Sequence, residues 1–202
     1  MRFLANSRLS HKTVVDRYKT RCENYDWKNI QSIIERHIAE QKNIAEQADT
    51  SPRYYFEDLL TLNFARYLHD AGYSAHYRVR DGVHEPDILG KPSGKLSPIV
   101  VEAKVVGQLL GTERGKSWIE AGLRALLAYL QKYYDDYAVT DGYLVVFRIG
   151  DETTPMFTFQ PEEWVFDQFT IIPKIINLGR INKNSYPVVI TQEEFMNQRD
   201  EA

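Results

Sequence analysis

Asp87, Glu102 and Lys104 are the residues of this chain best suited to act together on one bond. Asp87 follows Pro86, fourteen residues separate it from Glu102, and Ala103 alone divides Glu102 from Lys104. Hydrolysis of a phosphodiester calls for such a set. A hydroxide-like nucleophile must reach an anionic phosphorus, and further negative charge develops as the bond breaks. Two carboxylates can hold one or two hard divalent cations, Mg²⁺ or Mn²⁺, which lower the pKa of bound water and screen the phosphate oxygens. An ammonium beside them can orient the attacking water or stabilise the phosphate oxygens in the transition state. The plainer alternative is a solvated Glu-x-Lys face and an aspartate in an ordinary Pro-Asp turn.

The elements around these residues decide between the two. Ile99 to Val106 reads IVVEAKVV, a β-branched and mostly apolar run that suits a central strand covered on both faces. Strand side chains alternate, so Glu102 and Lys104 share one side of it. A solvent-exposed ion pair would be unusual in such a strand. Upstream, Tyr73 to Arg80 suggests a strand, Asp81-Gly82 a turn, and Pro86 to Leu89 a short second strand. The loop GKPSGKLSP follows it. Before these, Ser51 can cap a helix with Pro52 at its first position, running to about Ala71 and ended by Gly72. Its expected buried stripe is Phe56, Leu59, Leu60, Phe64, Tyr67 and Leu68.

Downstream, Ser117 to about Tyr137 reads as a long helix, with Trp118, Ala121, Gly122, Ala125, Leu126 and Tyr129 on its packed side. Gly142 to Ile149 is another core strand. The order is therefore helix, three strands, helix, strand. Beyond Gly150, FTIIPKIINL and YPVVI look like strands or extended edges broken by Pro173 and Pro187, and TQEEFMNQ like a terminal helical turn. The first 25 residues are polar and locally basic. From Asp26 to about Ala48, Trp27, Ile30, Ile33, Ile34, Ile38 and Ile44 recur at mostly helical spacing, which fits a packing helix better than a dimerisation helix.

Read as Pro-Asp, a spacer and then Glu-Ala-Lys, the segment Glu85 to Lys104 resembles the PD-(D/E)xK nuclease superfamily. This is the fold group of many restriction endonucleases, Holliday-junction resolvases and related DNA-processing enzymes. The resemblance spans roughly Pro52 to Ile149 in order of elements. It implies an α/β, restriction-endonuclease-like three-layer core with a central mixed sheet flanked by helices. Residues 51–202 would form that domain and residues 1–50 an N-terminal helical extension. It also implies metal ligation by Asp87, Glu102 and the backbone carbonyl of Ala103, with Lys104 catalytic. Many members place a further acid on the preceding helix, a role for Glu57, or less well Asp58.

Arg114, Lys116 and Arg124, with Lys132, offer phosphate contacts along the following helix, where a solvated face is the competing explanation. His84 and Glu85 fit a turn better than a metal shell. The implied activity is that of a Mg²⁺-dependent DNA endonuclease of restriction, defence or repair type, working alone, as a homodimer or with a separate partner subunit. An inactive nucleic-acid-binding or scaffold subunit on the same fold, or an RNA-directed nuclease, are the alternatives.

Composition sets the outer bounds. At 202 residues the chain has the length of one domain, and an apolar share of 43% can fill a core. A net charge of -3 argues against a purely electrostatic nucleic-acid binder. Cys22 stands alone, so neither an intrachain disulfide framework nor a cysteine-based zinc site is available. The N-terminus lacks the unbroken apolar core of a leader, and no stretch approaches the ~20 apolar residues of a membrane span. A soluble, cytoplasmic protein is the expectation. There is no GxxxxGK[ST] motif. The thirteen tyrosines invite base stacking, but helical positions such as Tyr67, Tyr129 and Tyr133 are better explained by packing.

Overall fold

The computed structural model describes residues 2–24, 53–77, 86–94, 96–107, 111–150, 152–182 and 184–200. The expected cap at Ser51-Pro52, the turn at Asp81-Gly82, His84 and Glu85, and the helix from Asp26 to Ala48 lie outside these residues.

Four helices are described: α1 (Arg2–Glu23), α2 (Arg53–Asp70), α3 (Gly111–Tyr137) and α4 (Gln192–Asp200). The strands are β1 (Tyr73–Tyr77), β2 (Ile88–Pro92), β3 (Ile99–Gly107), β4 (Asp141–Gly150), β5 (Phe157–Gln160), β6 (Trp164–Phe166), β7 (Phe169–Gly179) and β8 (Val188–Thr191). Six of them form one sheet in the order β1-β2-β3-β4-β7-β6, and β5 pairs with β8 apart from it. The hairpin-linked β1, β2 and β3 run antiparallel, while β3, β4 and β7 are parallel. The fold is thus α/β with a mixed central sheet flanked by helices.

Alternation along β3 and β4 feeds two cores. Val100 and Val106 of β3, with Leu144 and Val146 of β4, pack beneath Ile119, Leu123, Leu126 and Leu130 of α3. Ile99, Val101 and Ala103, with Tyr143, Val145 and Phe147, face Phe64, Ala65 and Leu68 of α2 and Val15 and Tyr18 of α1. Residues 99 to 103 of β3 and 143 to 147 of β4 are buried whichever way they point, as the continuous apolar runs require. α1, expected as part of an extension, places Val15 and Tyr18 in this second core, and Tyr18 stacks on Phe64 at 4.4 Å between ring centroids. Two of its basic residues serve the fold: Lys12 meets Glu163 at 3.4 Å, and Arg21 lies over the Tyr67 ring.

Several expected details shift. In α2 the buried face is Thr61, Phe64, Ala65 and Leu68, whereas Leu59 is 49% exposed. The stripe recurs at i, i+3, i+4 and i+7 from Thr61, and Leu59 falls beside it, not on it. α2 ends as expected at Gly72, whose φ of +91° is the left-handed conformation that glycine adopts without a side-chain clash. In α3 the packed face is centred on Ile119, Leu123, Leu126 and Leu130, with Trp118 and Tyr129 at its margin.

Pro173 does not break its segment: β7 runs unbroken, with Pro173 beside Leu144 of β4. β6 pairs with residues 169–171, so among the described residues β7 is an edge on that flank from Ile172 onward, where proline is tolerated. Near its end β4 carries a fully buried Arg148, whose guanidinium donates to the carbonyls of Thr154, Pro155 and Arg180.

Candidate active site

β2 stops early, and that makes the site. Its ladder with β3 closes at Ile88 opposite Val101, so beyond Val101 the flank of β3 away from β4 has no strand partner among the described residues. Backbone groups of alternate residues point to this flank. Two of its amides are taken by carboxylates instead of a strand. The Ala103 N–H donates to Asp87 Oδ2 at 2.7 Å, and the Val105 N–H donates to Glu57 Oε2 at 3.3 Å. The Ala103 carbonyl shares the orientation of its own N–H, toward the same notch.

Glu57 comes from the opposite face of the sheet. It starts the helical row that continues through Thr61, Phe64 and Leu68, which carries it inward over α2's packed side. Lys104 reaches the notch from the α3 face. Its Nζ donates to Glu102 Oε1 at 2.6 Å and to Glu57 Oε1 at 3.5 Å. The second bond rounds the edge of the sheet, which is open to it only because β2 has ended. Side-chain exposures of 10% for Lys104, 7% for Glu102 and 15% for Glu57 place the pairs largely out of water.

These charges do not balance. Three carboxylates act on one ammonium, and the protonation equilibria record it. Burial, then the negative charge of Asp87, holds the Glu102 carboxyl above the usual carboxylate range despite the lysine. Burial raises Glu57 too, with Lys104 opposing and Asp87 adding to it. For Lys104, burial alone would favour the neutral amine, but Glu102, Glu57 and Asp87 outweigh it and keep the ammonium protonated.

The donor set is all oxygen: carboxylates and a backbone carbonyl, the ligands of hard cations such as Mg²⁺. Among the described residues no group of three or more His, Cys, Asp or Glu side chains is already spaced around one cation position. Mg²⁺ does not need such a cage. It keeps several waters and is commonly held by one or two carboxylates plus substrate phosphates. Three carboxyl groups and a backbone carbonyl gathered at one place suit a divalent cation, whose charge would favour their ionised forms, so the residues present fit one.

α3 closes the site from above. Gly122 lies directly on Lys104: a β-carbon there would sit 2.9 Å from Lys104 Cγ. One turn earlier, the Trp118 ring has its centroid 5.1 Å from Lys104 Nζ. Both residues are legible in the sequence only as packing positions; a glycine four residues after a tryptophan, facing a strand lysine, is the signal that could have found them.

Asp87, Glu102, Lys104, the Ala103 backbone and Glu57 are therefore brought together. The basic residues of α3 are not equivalent. Lys116 turns to Glu194 Oε2 of α4 at 3.1 Å, away from the notch. Arg114 and Arg124 are exposed, and Arg114, one turn before Trp118, is on the flank nearest Lys104. No described helix is long and apolar enough to cross a membrane. Comparison of the chain with protein-family models, with curated proteins and with solved structures finds no match.

Proposed function

We propose that this protein is a metal-dependent nuclease of the PD-(D/E)xK type, hydrolysing phosphodiester bonds of nucleic acid, with DNA the favoured substrate. The observation that carries the reading is the convergence of Asp87, Glu57, Glu102 and Lys104 on one unpaired strand edge. A buried ion pair with two further carboxylates is costly to a fold, and such arrangements concentrate where chemistry needs them. The order of α2, β1, β2, β3, α3 and β4 is that expected of a restriction-endonuclease-like core.

Each residue then has a task. Asp87 and Glu102 would hold Mg²⁺ or Mn²⁺ with the Ala103 carbonyl, and Glu57 would complete the set from α2. When bound, the cation supplies a water of lowered pKa and neutralises phosphate oxygens. Lys104 keeps a full positive charge beside the scissile phosphate, where it orients the nucleophile or stabilises the developing charge. Arg114 is placed to meet a backbone phosphate at the edge of the notch, and Arg124 another along α3.

The test is incubation of the protein with plasmid, linear duplex, single-stranded DNA and RNA, with Mg²⁺, Mn²⁺ or EDTA. Cleavage that requires the metal and is lost in Asp87→Ala and Lys104→Ala is the expected result. Cleavage surviving both substitutions would overturn the assignment. Binding without cleavage of any substrate would mark the chain as a nucleic-acid-binding subunit.

A further inference from the structure

Trp118 is a costly residue for its position. Its indole nitrogen is buried and has no hydrogen-bond partner among the described residues, a penalty that leucine or phenylalanine at the margin of the same core would not carry. What the indole offers in return is its face. The ring centroid lies 5.1 Å from Lys104 Nζ, within the range of a cation–π attraction, and tryptophan is the strongest partner for one. The attraction grows as water is excluded, and the Lys104 side chain is only 10% exposed.

The geometry around the lysine is one-sided without this ring. Glu102 at 2.6 Å and Glu57 at 3.5 Å draw the ammonium toward the carboxylates. Gly122 makes room for the stem under α3, since a β-carbon at that position would lie 2.9 Å from Lys104 Cγ. Only Trp118, among the described contacts of Nζ, attracts it from the helix side. We propose that Trp118 is a positioning residue that holds the Lys104 ammonium at the mouth of the notch, with Gly122 leaving the room in which the stem lies. Resting on the nuclease reading, this gives α3 a part in the reaction beyond covering the sheet. Trp118 acts through Lys104 and need not touch the substrate.

The experiment compares Trp118→Phe, which keeps an aromatic face, with Trp118→Leu and Trp118→Met, which keep apolar packing alone. Two readouts are taken on variants shown to be folded by circular dichroism. The first is kcat against KM for metal-dependent cleavage. Loss of a desolvated cation–π contact corresponds to roughly 10- to 30-fold in kcat. That loss is expected in Trp118→Leu with KM held, and Trp118→Phe should recover most of it. The second readout needs neither metal nor substrate: acylation of Lys104 by an amine-reactive ester, followed by peptide mass spectrometry with Lys91 as internal reference. Lys104 should be acylated faster in Trp118→Leu and Trp118→Met than in wild type, with Trp118→Phe between.

Equal behaviour of the phenylalanine, leucine and methionine variants in both readouts would overturn the proposal and leave the nuclease assignment standing. If wild type cleaves nothing, the nuclease reading fails, and the acylation series alone decides whether Trp118 holds the lysine.

Discussion

Two groups of polar side chains are buried along the same pair of strands, and they are built on opposite principles. At the notch, Glu57, Asp87, Glu102 and Lys104 crowd charge onto an unpaired strand edge. At the N-terminal ends of β3 and β4 lies a second group, in which His11 Nδ1 meets the Tyr73 hydroxyl at 2.6 Å, with Tyr143 and Asp141 nearby. Here burial pushes the imidazole down to about 4 and the Tyr73 phenol up to about 12, so both stay neutral at physiological pH. The second group ties α1 to β1 by a neutral hydrogen bond, which is an inexpensive way to dock a helix. The first retains charge where a neutral pair would cost less. The difference teaches which cluster asks for a functional explanation and which is accounted for by the fold.

Substitutions should separate the two cleanly. Lys104→Ala is expected to lower kcat by about 10²- to 10³-fold, the cost of removing one transition-state donor, while the protein still melts cooperatively. Steady-state cleavage assays alongside thermal melts would check this, and a large activity loss in a His11 or Tyr73 variant would break the contrast. Tyr73→Phe should leave kcat unchanged but cost about 1–3 kcal/mol of stability in urea titration, because the His11 imidazole loses its buried partner. Adding His11→Leu to it should recover part of that loss, since removing both partners leaves no orphan.

pH gives a further division. The folded His11 titrates near 4 and the unfolded one near 6.5, so between these values the unfolded chain binds the extra proton. Its contribution is intact above pH 6.5 and is lost as pH falls toward 4, at no more than about 1.4 kcal/mol per pH unit. Urea midpoints measured across that window should fall in wild type and flatten in the Tyr73→Phe/His11→Leu pair relative to it. The smallest effect is expected from Asp87→Asn. It keeps an acceptor for the Ala103 N–H and removes the carboxylate whose charge raises both Glu102 and Glu57. A gain on the order of 1 kcal/mol at neutral pH, with loss of Mn²⁺ binding by calorimetry, is the expected result. A loss of stability instead would mean that the notch is less crowded with charge than its geometry implies.

Much of this architecture is written locally. IVVEAKVV names its own strand and puts Glu102 and Lys104 on one side, because alternation is a property of consecutive residues. Gly72 announces the end of α2 through its own φ, and the helix–strand order follows from periodicities of a few residues. Leu59 and Pro173 were misleading for the same reason. A local pattern registers an apolar or strand-breaking residue but not which flank of the element a neighbour covers. The docking of α1 is hidden too, since Val15 and Tyr18 belong to a helix rich in charged residues and with only weak periodicity.

The candidate site shows the same division. Residue type and spacing in the chain are enough to select Asp87, Glu102 and Lys104, since two carboxylates and an amine on adjoining strands already define a chemistry. Their assembly depends on contacts between distant segments: β2 ending opposite Val101, Glu57 meeting Lys104 across 47 positions of sequence, and Trp118 and Gly122 closing over the amine. No periodicity encodes where a ladder stops or which helix lies over a strand. Those follow from how whole layers pack, and here that packing turns three separated residues into one charged notch.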